Sequence, residues 1–208
     1  MFYKDMSTLL PVHIAGCPDF LVEKAIKDAT LSFCQRSSAY RVTLDPSLTI
    51  ANFFEYEVDL PRDTTLVDIH VVVVGGNVLT PETEEGAAQI NAKWRNEPGE
   101  PKYYIRPNNS TIFLVPTPLV AGEKIEITAS VKPTLGSIQI SDDFVEDHVD
   151  GIMAGALALL YDTPEMPWTN PQRAMKQEML FAGHIQEAKQ KADGRKGPTQ
   201  RRIKYGGI

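Results

Sequence analysis

The chain has 208 residues, 42% of them hydrophobic, and a formal net charge of −6. That length buries one substantial core, or a core plus a smaller satellite. The negative balance argues against a general nucleic-acid binder, which needs a basic surface to release counterions. The longest apolar run, Gly151–Tyr161, is rich in Gly and Ala and falls far short of the roughly 18 residues a membrane helix requires. The N-terminal residues carry no signal-peptide pattern, so synthesis and folding in a cytoplasm are expected.

Residues 1–16 are a mixed lead-in without periodicity. A helix is expected from Pro18 to Ser37: proline suits the first turn, and Phe20, Leu21, Ala25, Ala29 and Phe33 make an apolar stripe. Cys17 and Cys34 lie at its two ends, roughly 25 Å apart at about 1.5 Å per residue, which excludes a disulfide. They read as small buried apolar residues.

From Tyr40 to Pro133 the sequence changes to short β-branched and aromatic runs punctuated by Pro, Gly and Asn. Strands are expected at Tyr40–Leu44, Phe53–Leu60, Leu66–Val74, Val78–Leu79, Tyr103–Arg106, Thr111–Val115 and Lys124–Lys132. Phe54, Tyr56, Val58 and Leu60 alternate with Glu55, Glu57 and Asp59. Ile125, Ile127, Ala129 and Val131 alternate with Lys124, Glu126, Thr128 and Ser130. Such half-buried strands belong to an antiparallel sheet with one wet face. Gly75-Gly76-Asn77 and Pro107-Asn108-Asn109 supply hairpin turns.

Between the hairpins, Pro81–Pro101 is a polar excursion with a helical turn expected around Glu84–Trp94. Trp94, its one large apolar side chain, has two readings: an anchor holding the loop to the sheet, or an interface with another chain.

A helical hairpin follows from Ser141 to Asp193. Phe144, Val145, His148, Ile152, Ala156, Leu159 and Leu160 recur at helical spacing, after Ser141, Asp142 and Asp143 as N-cap candidates. Pro164, Pro167 and Pro171 stop this helix, and a second resumes at Gln172 with Met175, Met179, Leu180, His184 and Ala188 on one side. Gly151, Gly155 and Ala158 sit inside the first of these helices, where Gly costs about 1 kcal/mol relative to Ala. They imply close packing against another helix, of this chain or of a neighbour.

The last residues carry Arg195, Lys196, Arg201, Arg202 and Lys204 with no acid, and Ile203, Tyr205 and Ile208 as apolar points. This reads as a basic arm that contacts a neighbouring copy or partner, with a solubilising tail as the plainer alternative.

Catalytic chemistry is hard to find. Glu146, Asp147, His148 and Asp150 crowd the start of the hairpin, and their plainer role is to favour the helix dipole. No phosphate-cradling glycine loop, HExxH or nucleophile elbow is present. The chain reads as a non-enzyme with no cofactor and no metal.

The expected fold class is α+β: a helical bundle of the N-terminal helix plus the C-terminal hairpin, with an inserted antiparallel β-sandwich or barrel-like lobe and an extended C-terminal tail. The domains are 1–39 with 134–193, then 40–133, then the arm at 194–208.

The run KAIKDATLSFCQRS followed by YRVTLDP, then LTPETEE with KWRNEPGEPKYY, ITASVKPT, and DDFVEDHVDGIMAGALALLYDTPEMPWTNPQRA, resembles the head-to-tail adaptor (neck or connector) proteins of tailed bacteriophages, in particular the short-tailed type. The likeness covers about Leu21 to Lys189, and it rests on the order of the segments. It implies a virion protein of the neck, forming a homo-oligomeric ring, usually of twelve subunits, between the portal and the tail or nozzle proteins. DNA would pass non-specifically through its channel. It makes Arg195, Lys196, Arg201, Arg202, Ile203, Lys204 and Tyr205 candidate contacts to the portal or a neighbouring subunit. Two other readings compete. One is a receptor- or glycan-binding β-module with Trp94, Tyr103 and Tyr104 as its platform. The other is a metal-dependent hydrolase using the acids near His148.

Overall fold

The computed structural model describes residues 1–10 and 14–194. The chain order begins with α1 (Tyr3–Met6), a 3-10 turn at Ser7–Leu9 and α2 (Asp19–Ser37), followed by β1 (Arg41–Thr43), β2 (Ser47–Leu48), β3 (Glu55–Glu57), β4 (Thr64–Val74), β5 (Asn77–Val78) and β6 (Thr80–Glu82). Next come α3 (Glu84–Ile90), β7 (Pro98–Gly99), β8 (Tyr103–Ile105), β9 (Thr111–Val115), β10 (Thr117–Pro118) and β11 (Lys124–Pro133). The chain continues with α4 (Asp142–Tyr161) and α5 (Pro171–Gly194). The fold is mixed α+β. Two compact units divide it: Met1–Tyr3 with Tyr40–Phe144, and Lys4–Ala39 with Val145 onward.

In the first unit, β1, β11, β4 and β5 form an antiparallel sheet in that order, with β2 also paired to β11. Val74 pairs with Asn77 across Gly75 and Gly76, whose φ values of 55° and 88° are the positive angles a two-residue hairpin demands. A second sheet runs β3, β9, β8, β6, and a third joins β7 to β10.

Two pairings depart from the all-antiparallel expectation: β6 with β8, and β7 with β10, are parallel. The physical reason is the polar excursion. Parallel neighbours need a crossover between them, and α3 with the segment after it supplies one from β6 to β8. Thr83 caps α3 by accepting a hydrogen bond from the Gly86 amide at 3.0 Å.

The two larger sheets share one apolar core. Val72 and Val74 of β4 and Ile125, Ile127 and Ala129 of β11 cluster with Tyr56 of β3, Tyr104 of β8 and Ile112 and Leu114 of β9. The sheets do not close into a barrel. Alternation along β11 holds from Lys124 to Ala129 and then fails: Ser130, expected on the wet face, is fully buried. Register shifts between Thr128 and Ala129 and between Ser130 and Val131 break the two-residue period there.

In the second unit, α2 buries Val22, Ala25, Ile26, Ala29, Phe33 and Cys34. Phe20 is instead 67% exposed, because the inward stripe is set by Val22 and Ile26. Cys17 precedes the helix and is only partly buried, while Cys34 is buried within it.

Pro171 opens α5 one residue earlier than expected: proline's missing N–H costs nothing at a first helical position. Asn170 caps that end by accepting from the Arg173 amide at 3.0 Å. The inward face of α5 also differs from expectation. Ala174, Phe181, Ile185, Ala188 and Ala192 are buried, whereas Met175, Met179 and Leu180 are exposed.

Candidate assembly surfaces

The glycines of α4 show why α5 presents that face. A Cβ on Gly151 would stand 2.7 Å from Cε2 of Phe33 on α2 and 2.9 Å from Cβ of His184 on α5. A Cβ on Gly155 would stand 2.8–3.0 Å from three ring carbons of Phe181. The two glycines thus admit α2 and α5 of the same chain at close range, and Ala158 is buried on the same helix. The rings of Phe33 and Phe181 lie 6.1 Å apart, and Arg36 crosses from α2 to stack over Phe181 at 5.3 Å and to pair with Glu178 at 3.6 Å. The small residues serve packing within this chain.

With that face consumed, α5 keeps a second apolar stripe outward. Met175 and Met179, 69% and 71% exposed, stand one turn apart and are continued by exposed Ala182. Gly183 beside them has open space where a Cβ would be. Sequence reasoning grouped the methionines with Leu180, His184 and Ala188 on one side, of which the structure buries Ala188 and exposes Met175, Met179 and Leu180. Both stripes are apolar, and only the shape of the groove left by Gly151 and Gly155 selects between them.

Trp94 is 1% exposed. It packs with Ala87, Ile105 and Val115, meets Phe54 edge-on at 5.5 Å, and is covered by the Arg95 guanidinium 4.2 Å from its ring centroid. Thr117 donates its hydroxyl to the Trp94 carbonyl at 3.1 Å, tying the excursion to β10. Of its two readings, this burial matches the anchor: the indole has no face left for another chain. Of the stacking platform of Trp94, Tyr103 and Tyr104, Tyr104 is 6% exposed and Tyr103 half-buried, so the three do not form an exposed aromatic face.

His148, Asp147, Glu146, Asp150 and Gly151 of α4, with His184, Glu187 and Lys191 of α5 and Phe33 of α2, line a recess of about 190 Å³. His148 lies over Phe33 with centroids 5.1 Å apart. Lys191 pairs with Glu187 at 2.9 Å and holds its carboxyl below the usual range, helped by His184 and His148. Among the described residues no trio of His, Cys, Asp or Glu is placed to hold a metal ion. The arm residues Arg195, Lys196, Arg201, Arg202, Ile203, Lys204 and Tyr205 lie outside the described residues.

The helical unit thus carries an outward methionine stripe, and Trp94 and Tyr104 of the β-unit are buried. The chain belongs to the SU10 adaptor protein family, whose model matches residues 5–202. It is thereby a phage adaptor, a virion component that interacts with other phage structural proteins. No curated protein matches it. No helix among the described residues is long and apolar enough to cross a membrane.

Proposed function

We propose that this chain is a non-enzymatic neck adaptor of the short-tailed type: a ring, of twelve subunits by resemblance, that joins the portal to the tail or nozzle proteins and lets DNA through its channel. In this reading the N-terminal helix and the C-terminal hairpin form the bundle, the two larger sheets form a sandwich lobe, and residues 194–208 contact the portal or a neighbouring subunit. The observation that carries the ring is the outward stripe of Met175 and Met179 on α5. Two large flexible apolar side chains on a long, well-packed helix suit a contact that closes only on assembly. The acidic balance of the chain suits a channel that does not grip passing phosphates.

The test is a pair of full-length variants followed by particle assembly. Met175→Asp with Met179→Asp blocks ring closure while leaving the helical signal intact, because both side chains are exposed. Removal of residues 195–208 blocks docking to the portal. Normal tail attachment by the truncated chain refutes the arm's role, and normal rings from the methionine variant refute the interface.

A further inference from the structure

Two segments of the first unit, 47–53 and 117–123, invert the usual order of burial. Thr49 and Thr117 are 2% and 1% exposed, while Leu48, Ile50, Phe53, Leu119 and Val120 stand between 45% and 61% exposed. The segments are laced together from behind. Thr49 donates its amide to the Glu123 carbonyl at 2.8 Å and its hydroxyl to the Val120 carbonyl at 2.9 Å, and that hydroxyl accepts the Glu123 amide at 3.0 Å. Asn52 donates its amide to the Pro118 carbonyl at 2.9 Å. The Tyr56 hydroxyl donates to the Phe53 carbonyl at 2.9 Å and accepts the Ile50 amide at 3.0 Å.

Five large apolar side chains are therefore displayed on a hydrogen-bonded platform in which Thr49 and Thr117 face inward. An apolar patch of this kind marks a contact surface, and its fixed backbone reduces the ordering cost of binding. Glu123 closes the second segment, and Asp45 and Glu55 flank the first in sequence, against one flanking cation, Lys124. The matching occupant combines apolar anchors with positive charge. Residues 195–208 have that composition: Ile203, Tyr205 and Ile208 among five cations, with no acid.

We propose that this patch receives the C-terminal segment of a second copy of the chain. Its apolar residues seat among Leu48, Phe53 and Leu119, and its cations face the acidic margin. The inference rests on the ring reading above and names the acceptor for the arm.

A fluorescein-labelled peptide of residues 194–208 is titrated into the full-length chain carrying Ile203→Asp and Tyr205→Asp, whose own C-terminal segment lacks the anchors. The expected result is a saturable rise in anisotropy, weakened about tenfold by adding Leu119→Asp or Phe53→Asp and further weakened by salt. Absence of saturable binding, or binding unchanged by Leu119→Asp, overturns the proposal. In the wild-type chain, amide exchange at residues 48–53 and 119–123 slows as protein concentration rises. Slowing that is independent of concentration assigns the segment to its own copy and overturns the inter-copy arrangement. Rings that close on the portal with no peptide binding sink this inference alone, whereas peptide binding without any ring sinks the ring reading alone.

Discussion

Gly155→Ala is the sharpest perturbation of the helical unit, because two opposing effects of known size meet there. Replacing glycine by alanine inside a helix gains up to about 1 kcal/mol. Against this, the new methyl would lie 2.8–3.0 Å from three carbons of the Phe181 ring. That ring is itself 4% exposed and stacked under Arg36, so it has no free volume to enter. Overpacking of this kind costs about 1–3 kcal/mol, which leaves a net loss of about 0–2 kcal/mol. Gly183→Ala on α5 is the control: nothing lies within 4 Å of its added methyl, so only the gain remains. Urea unfolding followed by far-UV circular dichroism, which the long helices dominate, separates the two variants by about 2 kcal/mol with unchanged slopes. Adding Phe181→Leu to Gly155→Ala recovers part of the loss, giving a non-zero coupling in the double-mutant cycle. If Gly155→Ala raises the midpoint as much as Gly183→Ala does, the close-packing argument is wrong.

Other outcomes follow from the first unit. Trp94→Ala empties a fully buried site among Ala87, Ile105 and Val115 and lowers stability by about 3–5 kcal/mol in denaturant titration. Tyr56→Phe removes the hydroxyl that holds Ile50 and Phe53 and costs about 1–2 kcal/mol by the same assay; an unchanged midpoint would show that the hydroxyl does not brace the patch. Burial raises the phenols of both Tyr56 and Tyr104, with Asp68 adding to the second. Their neutral forms are favoured in the folded state. The stability this contributes is fully present below the unfolded value of about 10 and lost as pH rises through the raised folded values. The denaturation midpoint should therefore fall above about pH 10 and fall less in Tyr56→Phe.

The sequence made the secondary structure legible where one physical signal dominated. Gly75-Gly76 between apolar runs defined a hairpin, and alternation defined β3 and the first half of β11. The prolines between Pro164 and Pro171 bounded two helices that the structure also separates there. Legibility failed where a choice depended on shape. The inward face of α5 is fixed by the groove of Gly151 and Gly155, a property of two helices that no single helix periodicity reveals. The parallel pairing of β6 with β8 depends on a crossover through α3 that local patterning does not distinguish from a wandering loop. The apolar patch was invisible for a related reason. In Leu48-Thr49-Ile50, ordinary alternation sends the threonine outward, and only its hydrogen bonds to Val120 and Glu123, more than seventy residues away, turn it in.

Family membership makes the chain a phage adaptor, and the central claim beyond that is the ring. Light scattering measures it most directly: the mass of the purified protein alone, then mixed with the portal ring of the same phage. The account predicts a defined multiple of 23.1 kDa, reached alone or only on the portal. A protein that stays at 23.1 kDa in both conditions would contradict it.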